Sequence, residues 1–454
     1  MQQRLQRHLL AQLVALGDHN ITGLLCACGR ESFDWSSDYR MYSRQRVEPE
    51  QLFRQVRTSL LERLPPAAPV VVAVDDTRIR KSGKKVTGAK YTRDPLGPAF
   101  HTNFIWAQRF LQLSMAAGSP ESSRMIPVGW QHAPAPKKPR AGAADAERKD
   151  YRQACREQSV GKVAATQLQQ TRAWLDRQGQ LARELWCAGD GGFTNGTVLK
   201  NLPRNTIFLG RIRSDAKLHF LPQPTPEGRT GRRRVYGEQA PTPEQLRQDE
   251  SIPWQKIPVR IGGQQHNVRV KTLGPLRWRA AGGGHDLKLI VIAPLCYRIS
   301  PARKHLYRKP AFLICTGPDA ETRDILQRYI SRWDIEVNFR DEKTLLGVGE
   351  AQVRDPHAVQ NVTATAVAAY ALLLAAAQGI NRGQPAEFAL PRPKWQRRKP
   401  HRATTQSLIQ QMRFELWGHA MSFSHFASKS SATRSAENPL HNPYHALFYS
   451  SRHS

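Results

Sequence analysis

The run "VVVAVDD", Val70 to Asp76, limits the fold more than any other stretch of the chain. A continuous, mostly β-branched segment has no wet face, so it predicts a strand buried on both sides, as in the middle of an α/β sheet. It ends in two acids. Carboxylates at a strand end stand at the rim of a sheet, where α/β active sites form. The bland alternative is that Asp75 and Asp76 merely begin a turn. A second run, "ELWCAGD", predicts another strand ending in an acid, Asp190.

The surrounding patterns agree with an α/β chain of two or three domains, which 454 residues allow. Residues 1–65 read as helices: "VEPEQLFRQVRTSLLERL" has apolar residues at helical spacing, with Glu48 and Glu50 near its start. "PPAAP", Pro65 to Pro69, then marks a boundary. "FHTNFIWAQRFLQLSMAA", "RMIPVGW" and "NTIFLGRI" predict further strands, while "GKVAATQLQQTRAWLDRQG" and "TNGTVLKNL" predict helices. Residues 131–150, rich in Pro, Ala and Lys, read as a mobile basic loop. From 213 to 316 short apolar runs alternate with "GRTGRRR" and "AAGGG", the pattern of a β-rich basic insertion. A charged helix and an apolar helix fill 317–385. Residues 386–454 carry the basic "PRPKWQRRKPHR", one more helix, and a Ser/His/Asn-rich tail expected to be disordered.

Charge narrows the partner. Sixty-eight lysines and arginines against 37 acids give a net charge of +31, an excess that points to a polyanion, above all nucleic acid. No lipidation signal or basic amphipathic anchor directs it to a membrane. The apolar run Val362–Gly379 approaches the lower limit for a membrane span, but its alanines, threonines and tyrosine predict a core helix. Six cysteines without zinc spacing predict reduced thiols in a cytosolic protein, and the first twenty residues carry no secretory cleavage pattern.

The charged stretch "RYISRWDIEVNFRDEKTLLG", Arg328 to Gly347, holds four acids. At about 100° per residue, with Tyr329 at zero, Arg332 falls near 300°, Glu336 near 340° and Lys343 near 320°. Asp334, Asp341 and Glu342 fall at about 140°, 120° and 220°, which predicts solvent-side pairs for the neighbouring arginines. Only Glu336 shares a stripe with the tyrosine, the arginine and the lysine. Acids from separate elements can converge on Mg²⁺, which prefers oxygen ligands, and paired ions suit phosphodiester chemistry.

This spacing resembles the Y-(2)-R-(3)-E-(6)-K signature of the DDE transposases encoded by bacterial insertion sequences. "VVAVDDTRIRKSGKK" is similar to that family's first-aspartate segment and "LWCAGDGGFTN" to its second. The resemblance covers about Val70 to Gly379, and the roughly 145 residues between Asp190 and Glu336 leave room for the family's β-strand insertion. It implies a ribonuclease H-like mixed sheet flanked by helices, split into residues 70–212 and 317–385, with a helical N-terminal domain and a helical C-terminal extension. It also implies Asp75, Asp190 and Glu336 as the metal-binding triad, with Asp76 competing for the first place. Tyr329, Arg332 and Lys343 would hold DNA near the cleaved phosphate. The ions would be Mg²⁺, two of them in the family's manner, with Mn²⁺ as substitute.

The implied reaction is hydrolysis at a transposon end, then attack of the freed 3′-OH on target DNA, without a covalent intermediate. DNA (terminal inverted repeats and target) would be the partner, engaged by a homodimer on paired ends in the bacterial cytoplasm. The family also steadies a displaced base with an aromatic of its insertion, for which Trp254 and Trp278 are the candidates here. The N-terminal helices would read DNA or build the oligomer. A nuclease without strand transfer and a non-catalytic DNA-binding descendant are the competing expectations.

Overall fold

The first four helices are α1 (Gln2–Val14), α2 (Ile21–Ala27), α3 (Ser36–Ser43) and α4 (Pro49–Leu61), as the helical spacing of residues 1–65 predicts. Local chemistry starts them: Asn20 caps α2 by accepting from the Gly23 amide, and Pro49 opens α4, where an N–H would lack a partner anyway. The computed structural model describes residues 2–44, 46–98, 100–118, 123–134, 136–223, 233–281, 284–297, 304, 306–380 and 402–417. Most of "PRPKWQRRKPHR", part of "GRTGRRR" and the expected disordered tail lie outside the described residues.

Next come β1 (Val70–Arg80), β2 (Lys90–Arg93), β3 (Phe104–Ala117), β4 (Arg124–His132), α5 (Asp145–Glu157), α6 (Val160–Arg177), β5 (Leu185–Gly189), α7 (Gly196–Leu199) and β6 (Thr206–Arg211). β1, β3 and β4 form an antiparallel meander, and β5 and β6 run parallel to β1. The spatial order β4-β3-β1-β5-β6 puts β1 at the centre, buried on both sides as its composition demands. This is the mixed α/β architecture of a ribonuclease H-like fold.

Two expectations fail here. β1 does not stop at its acids: it runs on to Arg80, paired with β3 throughout, while its pairing with β5 ends at Val74. Asp75 thus lies inside one ladder and just past the end of the other. Residues 131–150 are also not one loop. Gln131 and His132 belong to β4, and from Asp145 onward the chain is helical, because Asp145 and Glu147 suit the first turn of α5.

The β-rich segment contains β7 (Leu218–Phe220), α8 (Pro243–Gln248), β8 (Gln255–Ile261), β9 (Gln264–Trp278), β10 (Leu287–Ile292), β11 (Cys296–Tyr297), β12 (Leu306–Tyr307) and β13 (Ala311–Cys315). Its strands extend the central sheet, since β13 pairs with β6 and leads on through β10 and β9 to β7. The chain then forms α9 (Thr322–Ser331), α10 (Asp334–Thr344), α11 (Pro356–Ile380) and α12 (Thr405–Trp417).

Alternation on β5 shows how the sheet is covered. Leu185 and Cys187 join the main core, whereas Trp186 and Ala188 face a second core closed by Ile325 and Leu326 of α9. α11 is long and apolar enough to cross a membrane, yet 89% of its apolar window is buried. It packs on β4, α4 and α1, so the core-helix expectation holds. All six cysteines are unpaired with one another.

Candidate active site

Register brings the first two acids together. Val74 of β1 is opposite Gly189 of β5, so Asp75 and Asp190 follow side by side, one residue past the last pair. Neighbouring strands are about 4.8 Å apart and paired residues of parallel strands point to the same side. That side is the one α9 covers, because Asp75 and Asp190 continue the alternation of Trp186 and Ala188.

The loop after β5 orients Asp190. Its Oδ1 accepts from the Gly192 amide at 2.7 Å and the Phe193 amide at 3.3 Å. A Cβ on Gly192 would stand 3.0 Å from that oxygen, so glycine lets the backbone come this close.

Pleat parity separates Asp75 from Asp76. Adjacent strand residues point to opposite faces. Asp76 turns toward Arg109, whose Nε and Nη2 donate to it at 2.8 and 2.7 Å, and toward Arg78 Nη1 at 2.7 Å. Its carboxylate is committed to structure. Asp75, only 14% exposed, instead faces Arg332, whose Nη1 lies 3.0 Å from its Oδ2. Burial pushes the Asp75 carboxyl up to about 7; Arg332 pulls it down, and the charges of Asp190 and Asp76 push it up further.

The third acid arrives on α10. Arg332 Nη2 is 3.1 Å from Glu336 Oε1, so one buried guanidinium bridges Asp75 and Glu336. Tyr329 stands beside it, with its ring centroid 5.7 Å from the guanidinium carbon. Burial pushes the Tyr329 hydroxyl up, keeping it protonated as a donor. Lys343 lies exposed two turns beyond Glu336, within the fields of Glu342, Arg78, Asp94 and Arg80.

The continuous helix assumed for this stretch is broken. Arg332 and Trp333 form a tightened turn between α9 and α10, with three-residue hydrogen bonds from Arg332 N to Tyr329 O (3.2 Å) and from Glu336 N to Trp333 O (3.1 Å). Both residues keep right-handed helical torsions, so the stripe survives. The other three acids are not a solvent-side set. Asp341 is buried, bonded to Thr405 Oγ1 at 2.6 Å as well as to Arg340, and Asp334 pairs with Arg402 at 2.7 Å. Glu342 is wholly buried, which pushes its carboxyl up to about 8. The cause is covering: β3 meets Glu342 through Gln112, and the segment leading into α12 meets Asp334 and Asp341 through Arg402 and Thr405. Trp254 and Trp278 pack against the main core, the former with Lys271 Nζ 4.8 Å from its ring centroid.

Among the described residues, no group of three or more His, Cys, Asp and Glu side chains is gathered closely enough to hold a metal. The Arg332 guanidinium holds the place between Asp75 and Glu336. The donor set still fits a hard divalent cation: carboxylate oxygens from three elements, one of them buried and pushed up to about 7 beside a second acid. Arg109 and Arg78, which claim Asp76, carried no sequence signal, because their role depends on strand register.

The family described as DDE superfamily endonuclease matches residues 1–271. No curated protein matches the chain. The matched span includes the N-terminal helices, Asp75 and Asp190, and ends before Tyr329, Arg332, Glu336 and Lys343. Endonucleases of this superfamily act on DNA and generally use divalent metal ions. Covering more than half of the 454 residues together with Asp75 and Asp190, the match means that the chain belongs to the DDE superfamily of endonucleases.

Proposed function

We propose that the chain is a transposase that binds the ends of an insertion sequence and carries out metal-dependent cleavage and strand transfer. The observation that supports this most is the linkage of Asp75, Asp190 and Glu336 through register and Arg332 at one rim of the sheet. In this reading the three carboxylates hold Mg²⁺, or Mn²⁺ in its place. When bound, the ions supply activation of the attacking oxygen and charge relief on the leaving one.

The chain's own groups do the rest. The Gly191–Gly192 turn aims Asp190. Arg332 balances the negative charge of Asp75 and Glu336, and is poised to pass to a DNA phosphate. Tyr329 offers a protonated hydroxyl beside it, and exposed Lys343 offers a point charge for the backbone. The net charge of +31 favours DNA generally and makes binding steeply salt-dependent. A homodimer on paired ends and a cytoplasmic location complete the proposal.

The test supplies uncut ends and, separately, pre-cleaved ends, with target DNA and Mg²⁺, to the full chain. Joined product is expected from wild type and none from Asp190→Ala. Cutting without joining would leave the endonuclease activity alone; cutting that persists in Asp190→Ala would remove the site assignment.

A further inference from the structure

Beyond the catalytic rim, the hairpin of β2 and β3 has an unusual surface. From Arg80 to Phe104 the chain carries six lysines and arginines against one acid, Asp94, and all of the six but Lys81 are exposed. That acid is buried: its Oδ2 takes Arg80 Nη2 at 2.7 Å and its Oδ1 accepts from the Leu96 amide at 3.0 Å. Asp94 N also bonds Asn103 O at 2.8 Å, tying the two ends of the turn. The turn therefore has an internal anchor, and its outer surface is left basic and apolar.

The apolar part faces water. Leu96 and Phe100 are 88% and 93% exposed, and Tyr91 and Phe104 are also largely exposed. Tyr91 is opposite Trp106 and Arg93 is opposite Phe104, so these four share one face of the hairpin. Tyr91 packs edge-on against Trp106, with ring centroids 5.1 Å apart. Aromatic rings interleaved with exposed Arg93, with exposed Lys90 on the other face of the same short edge strand, form a surface suited to nucleic acid. A purely apolar protein interface would not carry this excess of positive charge.

Position ties the hairpin to the cleavage site. Asp75 is opposite Gln112 of β3, eight residues from Phe104. At about 3.4 Å per residue this is ~27 Å along the strand, or about eight base pairs of duplex. Lys343, Arg78 and Arg80 lie between, their fields overlapping, and Arg80 reaches the hairpin's Asp94.

We propose that the β2–β3 hairpin is a DNA-contacting wedge: Lys90 and Arg93 hold phosphates while Leu96, Phe100 and Phe104 enter a groove, about eight base pairs from the reacting phosphate. This rests on the transposase reading in taking duplex DNA as the ligand. The test is fluorescence anisotropy of the full-length chain with a labelled duplex of random sequence, across a salt series. Leu96→Ser/Phe100→Ser is expected to weaken binding about tenfold with an unchanged salt slope, because apolar and stacking contacts release no counterions. Lys90→Ala/Arg93→Ala is expected to lower the slope by about two. Both pairs are exposed, so circular dichroism should match wild type.

Unaltered DNA affinity in both double variants, with wild type binding, overturns the wedge and leaves the transposase reading intact. So does an effect confined to self-association in sedimentation velocity, which would make the hairpin an interface between copies. Failure of wild type to bind duplex at all overturns both.

Discussion

Asp75→Asn is expected to lose DNA cleavage by about a thousandfold or more while matching or exceeding wild type in metal-free stability at pH 8; Asp76→Ala is expected to do the reverse. The adjacent acids differ in what they face. Asp76 holds Arg78 and Arg109 through three short hydrogen bonds, and its removal leaves two partly buried guanidinium groups without that partner. The cost should be about 2–3 kcal/mol, read as a lowered melting temperature with cleavage retained at permissive temperature.

Asp75 is destabilising when charged. Its carboxyl titrates at about 7 in the fold, against about 3.9 in an unfolded chain. The folded state therefore binds the extra proton between those values, and stability falls as pH rises from about 4 through about 7. Metal-free wild type should show that decline in melting temperature, and Asp75→Asn should flatten it. Cleavage lost in Asp76→Ala and kept in Asp75→Asn would reverse the assignment.

Arg332→Ala is the second large effect. The side chain is buried and bridges Asp75 and Glu336, so truncation leaves Asp75 beside Asp190 without its compensating cation. A loss of about 3 kcal/mol is expected at pH 8, smaller at pH 5 where Asp75 is protonated. Mg²⁺ should restore more stability to this variant than it adds to wild type, because the ion takes over the charge balance. Arg332→Lys should recover little, since a point charge cannot bridge two carboxylates as a fork does. Equal destabilisation at pH 5 and pH 8, with no response to Mg²⁺, would show that Arg332 matters for packing alone.

Much of the site is legible locally. Val70–Val74, the first half of β1, and Leu185–Gly189 are apolar runs suited to a buried strand, and each is followed by an acid where the β1–β5 ladder ends. The stripe of Tyr329, Arg332, Glu336 and Lys343 follows from helical period alone, and it outlasts the tightened turn because that turn keeps helical torsions. Periodicity was insufficient where long-range packing intervenes. Glu342 and Asp341 lie off that stripe, yet Gln112 of β3 meets the first and Thr405 the second, both from segments remote in sequence. β2 is only four residues long and α5 buries none of its residues, so neither has the apolar pattern that betrays an element.

The sequence by itself determined the α/β class, the acids that follow the two apolar runs, and Glu336 as the acid sharing a face with a tyrosine, an arginine and a lysine. Tertiary structure alone decided that Asp75, and not Asp76, faces Arg332, and that Arg332 joins Asp75 to Glu336. The reason is physical: local periodicity sets which side chains share a face, whereas register with β5 and the packing of α9 determine which face meets the other acids.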